Sequence, residues 1–286
     1  MPSTKLYIQH PLDADRSCKL VGILERADAN LSTHGKPLAL ILHGSMGHKD
    51  YLFQRKLAPL LPMDSFRFDF RGNLESGGDW SLASLPKDVE DIQVVVEYMK
   101  REYGYTTTVL IGHSRGSIVT CKWIASGSRE TQDVEAFVNV SGRYRMERFR
   151  YIQEVHAESI QKRGYGIWKV RVAGKPVEVK IYPADIDEFV DWDISYIPSS
   201  FPPHIDVLSI QGMSDGIVPP YDAVCYALAF EQRKGGEGRH TLHFIEDADH
   251  NFAGHHDEVN QTIVEWLTRR ARKEPLSLGG LWRSRL

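Results

Sequence analysis

One pentapeptide constrains this chain more than any other feature. Gly112-His113-Ser114-Arg115-Gly116 stands between the β-type run Thr108-Val109-Leu110-Ile111 and a helical pattern that extends to about Ser126. A strand that passes into a helix within so few residues must turn sharply, which forces the central serine into a strained backbone conformation. Glycines two before and two after it remove side chains that would otherwise collide there. Such a turn lifts the Ser114 hydroxyl above the sheet and aims the free N–H groups of the helix start at the same point. Ser114 is therefore the candidate nucleophile; the alternative is an ordinary glycine-rich strand–helix turn.

The surrounding pattern predicts a mainly parallel sheet wrapped by helices, because short β-rich apolar runs alternate with helical periodicity. Lys5–His10 and Lys19–Arg26 read as an antiparallel pair at one edge. Leu38–Leu42 is a continuous apolar run, as expected for a strand buried on both faces. Phe66–Phe70, Ala136–Val140, Ile205–Ile210 and Thr241–Ile245 are further strand candidates. Apolar residues recur at three- and four-residue spacing between Pro86 and Tyr103, and again from about Asp257 to Arg272, which predicts helices there. Residues 144–203 break the alternation. They are dense in aromatics, including Tyr151, Tyr165, Trp168, Tyr182, Phe189, Trp192 and Tyr196, and they contain a hairpin pattern around Gly174. The expected division is a core of residues 1–143 and 204–286 with 144–203 inserted as a cap, since a long insertion with its own apolar surface must cover something.

A serine hydroxyl is a weak nucleophile at neutral pH and needs a base beside it. His250 follows the last strand candidate, within Asp247-Ala248-Asp249-His250, where a loop at a carboxyl strand end could reach Ser114. His243, His255 and His256 are rivals; the first alternates with apolar strand residues and the others open the final helix. The base in turn needs a carboxylate to fix its tautomer. Asp215, in Gly212-Met213-Ser214-Asp215 after the Ile205–Ile210 strand, is the candidate, ahead of Asp222, Asp247 and Asp249. For a developing oxyanion, the backbone N–H of Arg115 and an N–H from the loop His43-Gly44-Ser45-Met46-Gly47-His48 are the expected donors. Ser45 is the choice within that loop, with Met46 second and His43 as a structural hydrogen-bonding residue.

The pieces HGSMGH, DFRGNLES, GHSRGS, GMSDGIVP and DADHNF, in this order, resemble the α/β-hydrolase superfamily. They are most similar to its cinnamoyl/feruloyl esterase-like, serine-aminopeptidase-type branch, over about Val21 to Arg272. The resemblance implies an α/β-hydrolase fold with an eight-stranded sheet and a cap inserted after the sixth strand. It also implies a triad of Ser114, Asp215 and His250 acting on carboxylic esters without a cofactor or metal. Two positions depart from the family's habit: Ser45 stands where a bulky apolar residue is common, and Arg115 where Gln or Met is frequent.

Composition narrows the partners. The 286 residues carry 35 Lys+Arg against 38 Asp+Glu, a net charge of −3, which leaves no basic footprint for nucleic acid. No apolar stretch approaches the ~18–20 residues that cross a bilayer, and the N-terminus lacks the pattern of a secretory signal. Cys18, Cys121 and Cys225 have no metal-binding spacing and read as buried hydrophobes. The expected setting is cytoplasmic, with the terminal Ser284-Arg285-Leu286 resembling a peroxisomal address. Arg143, Arg145, Arg148 and Arg150 read as a solvated charged face, the alternative being recognition of a phosphorylated carrier. Asp185, Asp187, Glu188, Asp191 and Asp193 lack calcium-loop spacing. The leading function is a serine esterase for small or medium apolar or aromatic acyl groups, with a small-molecule ester as its partner and a homodimer as an admissible assembly. A thioesterase or another C–S, C–N or C–C hydrolase on the same residues is the second reading. A ligand sensor built on the same fold is the third.

Overall fold

The computed structural model of the chain describes residues 2–11 and 18–276. Its strands are β1 (Ser3–Gln9), β2 (Lys19–Glu25), β3 (Pro37–Leu42), β4 (Asp64–Asp69), β5 (Thr106–His113), β6 (Ala136–Val140), β7 (Gly166–Val172), β8 (Lys175–Ile181), β9 (Asp206–Gly212) and β10 (His240–Ile245). Eight form one sheet in the order β1-β2-β4-β3-β5-β6-β9-β10, while β7 and β8 make a separate antiparallel ribbon. β2 pairs antiparallel with both β1 and β4, and all other neighbours in the large sheet are parallel. The helices are α1 (Gln54–Leu57), α2 (Leu85–Tyr103), α3 (Arg115–Ala125), α4 (Tyr151–Val155), α5 (Ala157–Arg163), α6 (Pro183–Val190), α7 (Ile197–Ser200), α8 (Tyr221–Glu231) and α9 (His256–Ala271). The mostly parallel eight-stranded sheet with flanking helices is the architecture expected from the sequence.

Parallel strands need crossovers, and crossovers put helices on both faces, so the inner strands are apolar throughout. β3 illustrates the consequence. Leu38, Leu40 and Leu42 join a core with Ile92, Val95 and Met99 of α2 and Ile118 and Trp123 of α3. Ala39 and Ile41 face the other way, into a core completed by Phe53, Leu57 of α1, and Val259, Ile263 and Trp266 of α9. The first core continues without a break into the segment between β6 and β9, taking in Met146, Phe149, Ile181, Ile186, Phe189, Ile194, Ile197 and Phe201. That segment therefore shares the sheet's apolar interior. α8 is an element that the sequence pattern does not announce. Cys18 and Cys121 are buried, whereas Cys225 is only half-buried. Among the described residues no helix is long and apolar enough to cross a membrane; Ser284-Arg285-Leu286 lies outside the described residues.

Three histidines sit uncharged inside the sheet layer. Burial pushes His43 and His113 down to about 3 and His240 to about 4. Each has its own partner: His43 Nδ1 donates to the Gly44 carbonyl at 2.8 Å and its Nε2 accepts the Phe70 N–H at 3.0 Å. His240 Nε2 bonds the Ser209 hydroxyl at 2.9 Å.

An unfolded chain protonates such histidines near ~6.5, so below that pH the unfolded state binds more protons than the folded one. Their contribution is complete above the unfolded value and is lost as pH falls toward the folded values. Asp88 and Asp69 act in the opposite sense, because burial raises their carboxyls, Asp88 to about 6. The histidine shifts are the larger and more numerous. The urea midpoint is therefore expected to be highest at or above neutrality and to fall between pH 6.5 and 4. His240→Gln should flatten part of that decline, and a midpoint unchanged from pH 7 to 4.5 would contradict the account.

Candidate active site

β5 ends and α3 begins within one residue, and Ser114 takes the bend with φ 52° and ψ −117°. A side chain at Gly112 would place Cβ 2.6 Å from the Ser117 nitrogen, and one at Gly116 would place it 2.6 Å from the Leu42 and His43 carbonyl oxygens. Helix and strands thus approach too closely for any residue but glycine at either position. The bend is stitched to the neighbouring strand: the Ser114 N–H donates to the Val140 carbonyl at 2.8 Å. The Ser117 hydroxyl donates to the Gly112 carbonyl at 2.6 Å and accepts the Val140 N–H at 3.2 Å.

β9 and β10 stand beyond β6 in the same sheet, and their carboxyl ends carry Asp215 and His250 to this turn. The Ser114 hydroxyl donates to His250 Nε2 at 3.0 Å, and His250 Nδ1 donates to Asp215 Oδ2 at 2.8 Å. A carboxylate can only accept, so the Nδ1 proton is fixed and Nε2 is left free to take one. Asp215 Oδ1 accepts the N–H groups of Ile217 at 2.9 Å and Val218 at 2.8 Å. Burial opposes its charge, but the hydrogen bond and charge of His250 and these two amides outweigh burial, holding the carboxyl below its usual range. Asp215 and His250 are 4 % and 8 % exposed, so this line of charge and dipoles acts with little competition from water.

Five of the six rival residues are engaged elsewhere. Asp249 accepts the N–H groups of Asn251 and Ala253, closing its own loop. Asp222 accepts the Tyr144 and Arg145 N–H groups and the Arg145 guanidinium. His243 is buried near the Thr262 hydroxyl of α9, and His255 and His256 pair with Glu258 and the Asn251 carbonyl. Two contributors went unrecognised in the sequence. Gln211 donates its amide to Asp215 Oδ2 at 2.9 Å and to the Val218 carbonyl at 3.0 Å, and a glutamine inside an apolar strand was the available signal. His113 bonds the His250 carbonyl through Nε2 at 2.9 Å, and its ring lies 5.1 Å from that of His250. Burial keeps His113 neutral, so the shared proton belongs to its Nε2.

The loop after β3 passes directly against the turn. A Cβ on Gly44 would lie 3.1 Å from Ser114 Cβ and 3.0 Å from His113 Nδ1. The next residue, Ser45, leads into Met46, which has φ 54°, and the Gly47 N–H returns to the Gly44 carbonyl at 3.0 Å. Beneath this loop Lys49 is buried; its Nζ reaches Asp69 at 3.1 Å and also pairs with Glu75, while its N–H bonds Asp69 at 2.6 Å. The Arg115 side chain points away from solvent and bonds Asp88 Oδ2 at 2.6 Å, the Leu82 carbonyl at 2.7 Å and the Ser84 hydroxyl at 3.0 Å.

The arginines at the start of the inserted segment depart from the solvated face expected of them. Arg143 is buried, donates to the Ile217 carbonyl at 2.6 Å and lies over the Phe149 ring. Arg145 pairs with Asp222 at 2.6 Å and lies over Tyr221. Only Arg148 and Arg150 stand in solvent, beside Glu147 and Asp187. The physical reason is that the chain leaves β6 under α8, where an aliphatic side chain could not satisfy the Asp222 carboxylate or the Ile217 carbonyl.

Comparison with known proteins agrees with this architecture. Residues 34–185 match the sequence model of the family described as serine aminopeptidase, S33. An uncharacterized protein of Saccharomyces cerevisiae, YDL057W, is 31% identical over 276 residues, covering 88% of this chain and 79% of the relative. The fold is similar to that of Est1E from Butyrivibrio proteoclasticus with ferulic acid bound, with a TM-score of 0.71 at 20% identity over 93% of this chain and 99% of that one. It is also similar to the Pyrococcus furiosus esterase Pf2001, with a TM-score of 0.65 at 15% identity over 94% of this chain and 92% of that one. Mouse alpha/beta hydrolase domain-containing protein 10 gives 0.64 at 14% identity over 93% and 99%. With a family match across more than half its length and this fold, the chain belongs to the serine aminopeptidase S33 family of α/β-hydrolases.

Proposed function

We propose that the protein is a serine esterase that cleaves carboxylic esters of small to medium apolar or aromatic acyl groups through Ser114, His250 and Asp215. The observation that carries the reading is the continuous hydrogen-bonded line from the Ser114 hydroxyl through both ring nitrogens of His250 to Asp215, built on a strained turn. Ser114 Oγ attacks the ester carbonyl carbon while its proton passes to His250 Nε2. The negative oxygen of the tetrahedral intermediate accepts the N–H groups of Ser45 and Arg115. The bond from carbon to the alcohol oxygen then breaks, and His250 returns the proton to that oxygen. Water repeats the sequence on the acyl-serine and releases the acid. Asp215 stays ionised throughout, orienting the imidazole and stabilising its charged form.

Residues 144–203 serve as the cap in this reading, and their aromatic side chains supply the wall against which the acyl group packs. The fold likeness to Est1E, whose structure holds ferulic acid, is a reason to include hydroxycinnamate esters among the substrates tried. A phosphorylated acyl carrier draws no support from Arg143 and Arg145, because both are committed inside the protein.

Three sets of experiments test the assignment. A fluorophosphonate probe is expected to label Ser114, and Ser114→Ala to lower kcat for p-nitrophenyl esters by ~10⁴-fold or more. Ester turnover that persists in that variant would overturn the reading. Asp215→Asn should cost ~10³- to 10⁴-fold in kcat by releasing the His250 tautomer, whereas Asp247→Asn and Asp249→Asn should each stay within ~10-fold of the parent. Equal losses at Asp249 and Asp215 would reassign the acid. A graded series of acyl lengths beside hydroxycinnamates should then peak at short or aromatic acids, and a maximum at long-chain esters would refute that specificity.

A further inference from the structure

Arg115 follows the nucleophile directly, and its side chain has nothing to do with the line of proton transfer. Its guanidinium is nevertheless engaged at every nitrogen. Nε donates to Asp88 at 2.6 Å, Nη1 to the Leu82 carbonyl at 2.7 Å and Nη2 to the Ser84 hydroxyl at 3.0 Å. The Trp80 ring lies over the guanidinium, 5.8 Å from centroid to Cζ. All three nitrogens and one face of the plane are thereby used. The partners belong to the first turn of α2 and the loop that leads into it. Arg115 and Asp88 are each 2 % exposed.

Stability alone is a poor account of this pair. A buried ion pair gives up the hydration of two charges, and apolar residues of similar volume often serve as well or better. The helix dipoles do not decide the matter, since Arg115 opens α3, where a cation is disfavoured, while Asp88 lies in the first turn of α2, where an anion is favoured. What the pair does accomplish is to hold the residue after a strained one. A backbone in a sparsely populated conformation persists only when its surroundings over-determine it. On the strand side Ser114 is held by its N–H bond to Val140. On the helix side, the Arg115 side chain crosses from the first residue of α3 to the start of α2, two helical turns before the Trp123 bond to Gln93.

We propose that Asp88 is a positioning residue for ester hydrolysis, acting through Arg115 to hold the Ser114 turn and to fix the direction of the Arg115 N–H toward the oxyanion. The proposal rests on the esterase reading, because the oxyanion belongs to that reaction. Asp91, one turn further along α2, is engaged instead by Arg71, through its N–H at 2.8 Å and Nε at 2.5 Å, and by His10 at 3.1 Å. It is not interchangeable with Asp88.

The test separates positioning from folding. Asp88→Asn leaves an unpaired buried cation and should lower both thermal stability and kcat. The double variant Asp88→Asn with Arg115→Met removes the cation as well and should regain stability. The single variant loses the charged arm of the clamp and keeps the bonds to Leu82 and Ser84, while the double variant loses all three, so kcat should fall ~10-fold in the first and ~10- to 100-fold in the second with KM changed less than ~3-fold, less than the loss of a whole oxyanion donor. Both should also bind phenylboronic acid, which forms a tetrahedral adduct on the serine, ~10-fold or more weakly than the parent. Arg115→Lys, which keeps the charge but not the fork, should fall between parent and double variant. If kcat and boronate affinity return with stability in the double variant, the pair is merely structural and the proposal fails. A parent protein that neither turns over p-nitrophenyl esters nor reacts with fluorophosphonate at Ser114 would instead remove the esterase reading beneath it.

Discussion

A strained serine at the junction of β5 and α3 is the constraint around which this molecule is arranged. Holding one residue at φ 52° and ψ −117° costs about 1–3 kcal/mol, and nothing local to the pentapeptide supplies that. It comes from long-range structure. β6 accepts the Ser114 N–H, and the Ser117 hydroxyl ties α3 to both flanking strands. The carbonyls at the end of β3 sit where a Gly116 side chain would be. With β3, β5 and β6 adjacent in the sheet, these contacts follow from strand order. The same order brings the ends of β9 and β10 next in line, which is why Asp215 and His250 reach Ser114 although they lie far along the chain.

Electrostatics then separates histidines that composition treats alike. His43 and His113 are buried without an acidic partner, so desolvation decides and both stay neutral at about 3. His250 is nearly as buried but has the Asp215 carboxylate at Nδ1. An imidazolium there is compensated, and an imidazolium at His113 is not. The neutral His113 contributes differently, since its bond to the His250 carbonyl fixes the backbone of the residue that pairs with Asp215.

Much of this was legible in the sequence because the relevant signals are local. Runs such as Leu38–Leu42 announce a strand covered on both faces, and β3, β5, β6, β9 and β10 lie within a residue or two of where the runs placed them. Ser114, Asp215 and His250 each follow such a run beside small or polar turn residues, so their location at carboxyl strand ends could be read one segment at a time. α8 escaped because Tyr221–Glu231 is apolar nearly all round, with Leu228 exposed opposite buried Tyr226 and Phe230, leaving no one-sided stripe to detect. Asp88, Gln211, Lys49 and Arg143 escaped for another reason. Each looks like an ordinary polar residue, and its importance comes from a partner chosen by the tertiary fold. Arg143 is the clearest instance: alternating arginines normally coat a solvated surface, but the chain here passes beneath α8.

The junction between the sheet and the inserted segment has a mechanical consequence. Asp222 accepts the N–H groups of Tyr144 and Arg145 together with the Arg145 guanidinium, and Arg143 reaches the Ile217 carbonyl. Ile217 also donates its N–H to Asp215. The first residues of the insertion are thus bonded to the loop whose other contacts hold the carboxylate of the proposed triad. A displacement beginning at residues 143–145 would pull on Asp215 and disturb the His250 tautomer. The apolar continuity from Phe149 through Ile197 and Phe201 into the sheet resists it further. Beyond these anchors the insertion is tied less firmly: much of the surface of the β7–β8 ribbon is open, and its Trp168 packs across to Trp80, with ring centroids 6.2 Å apart.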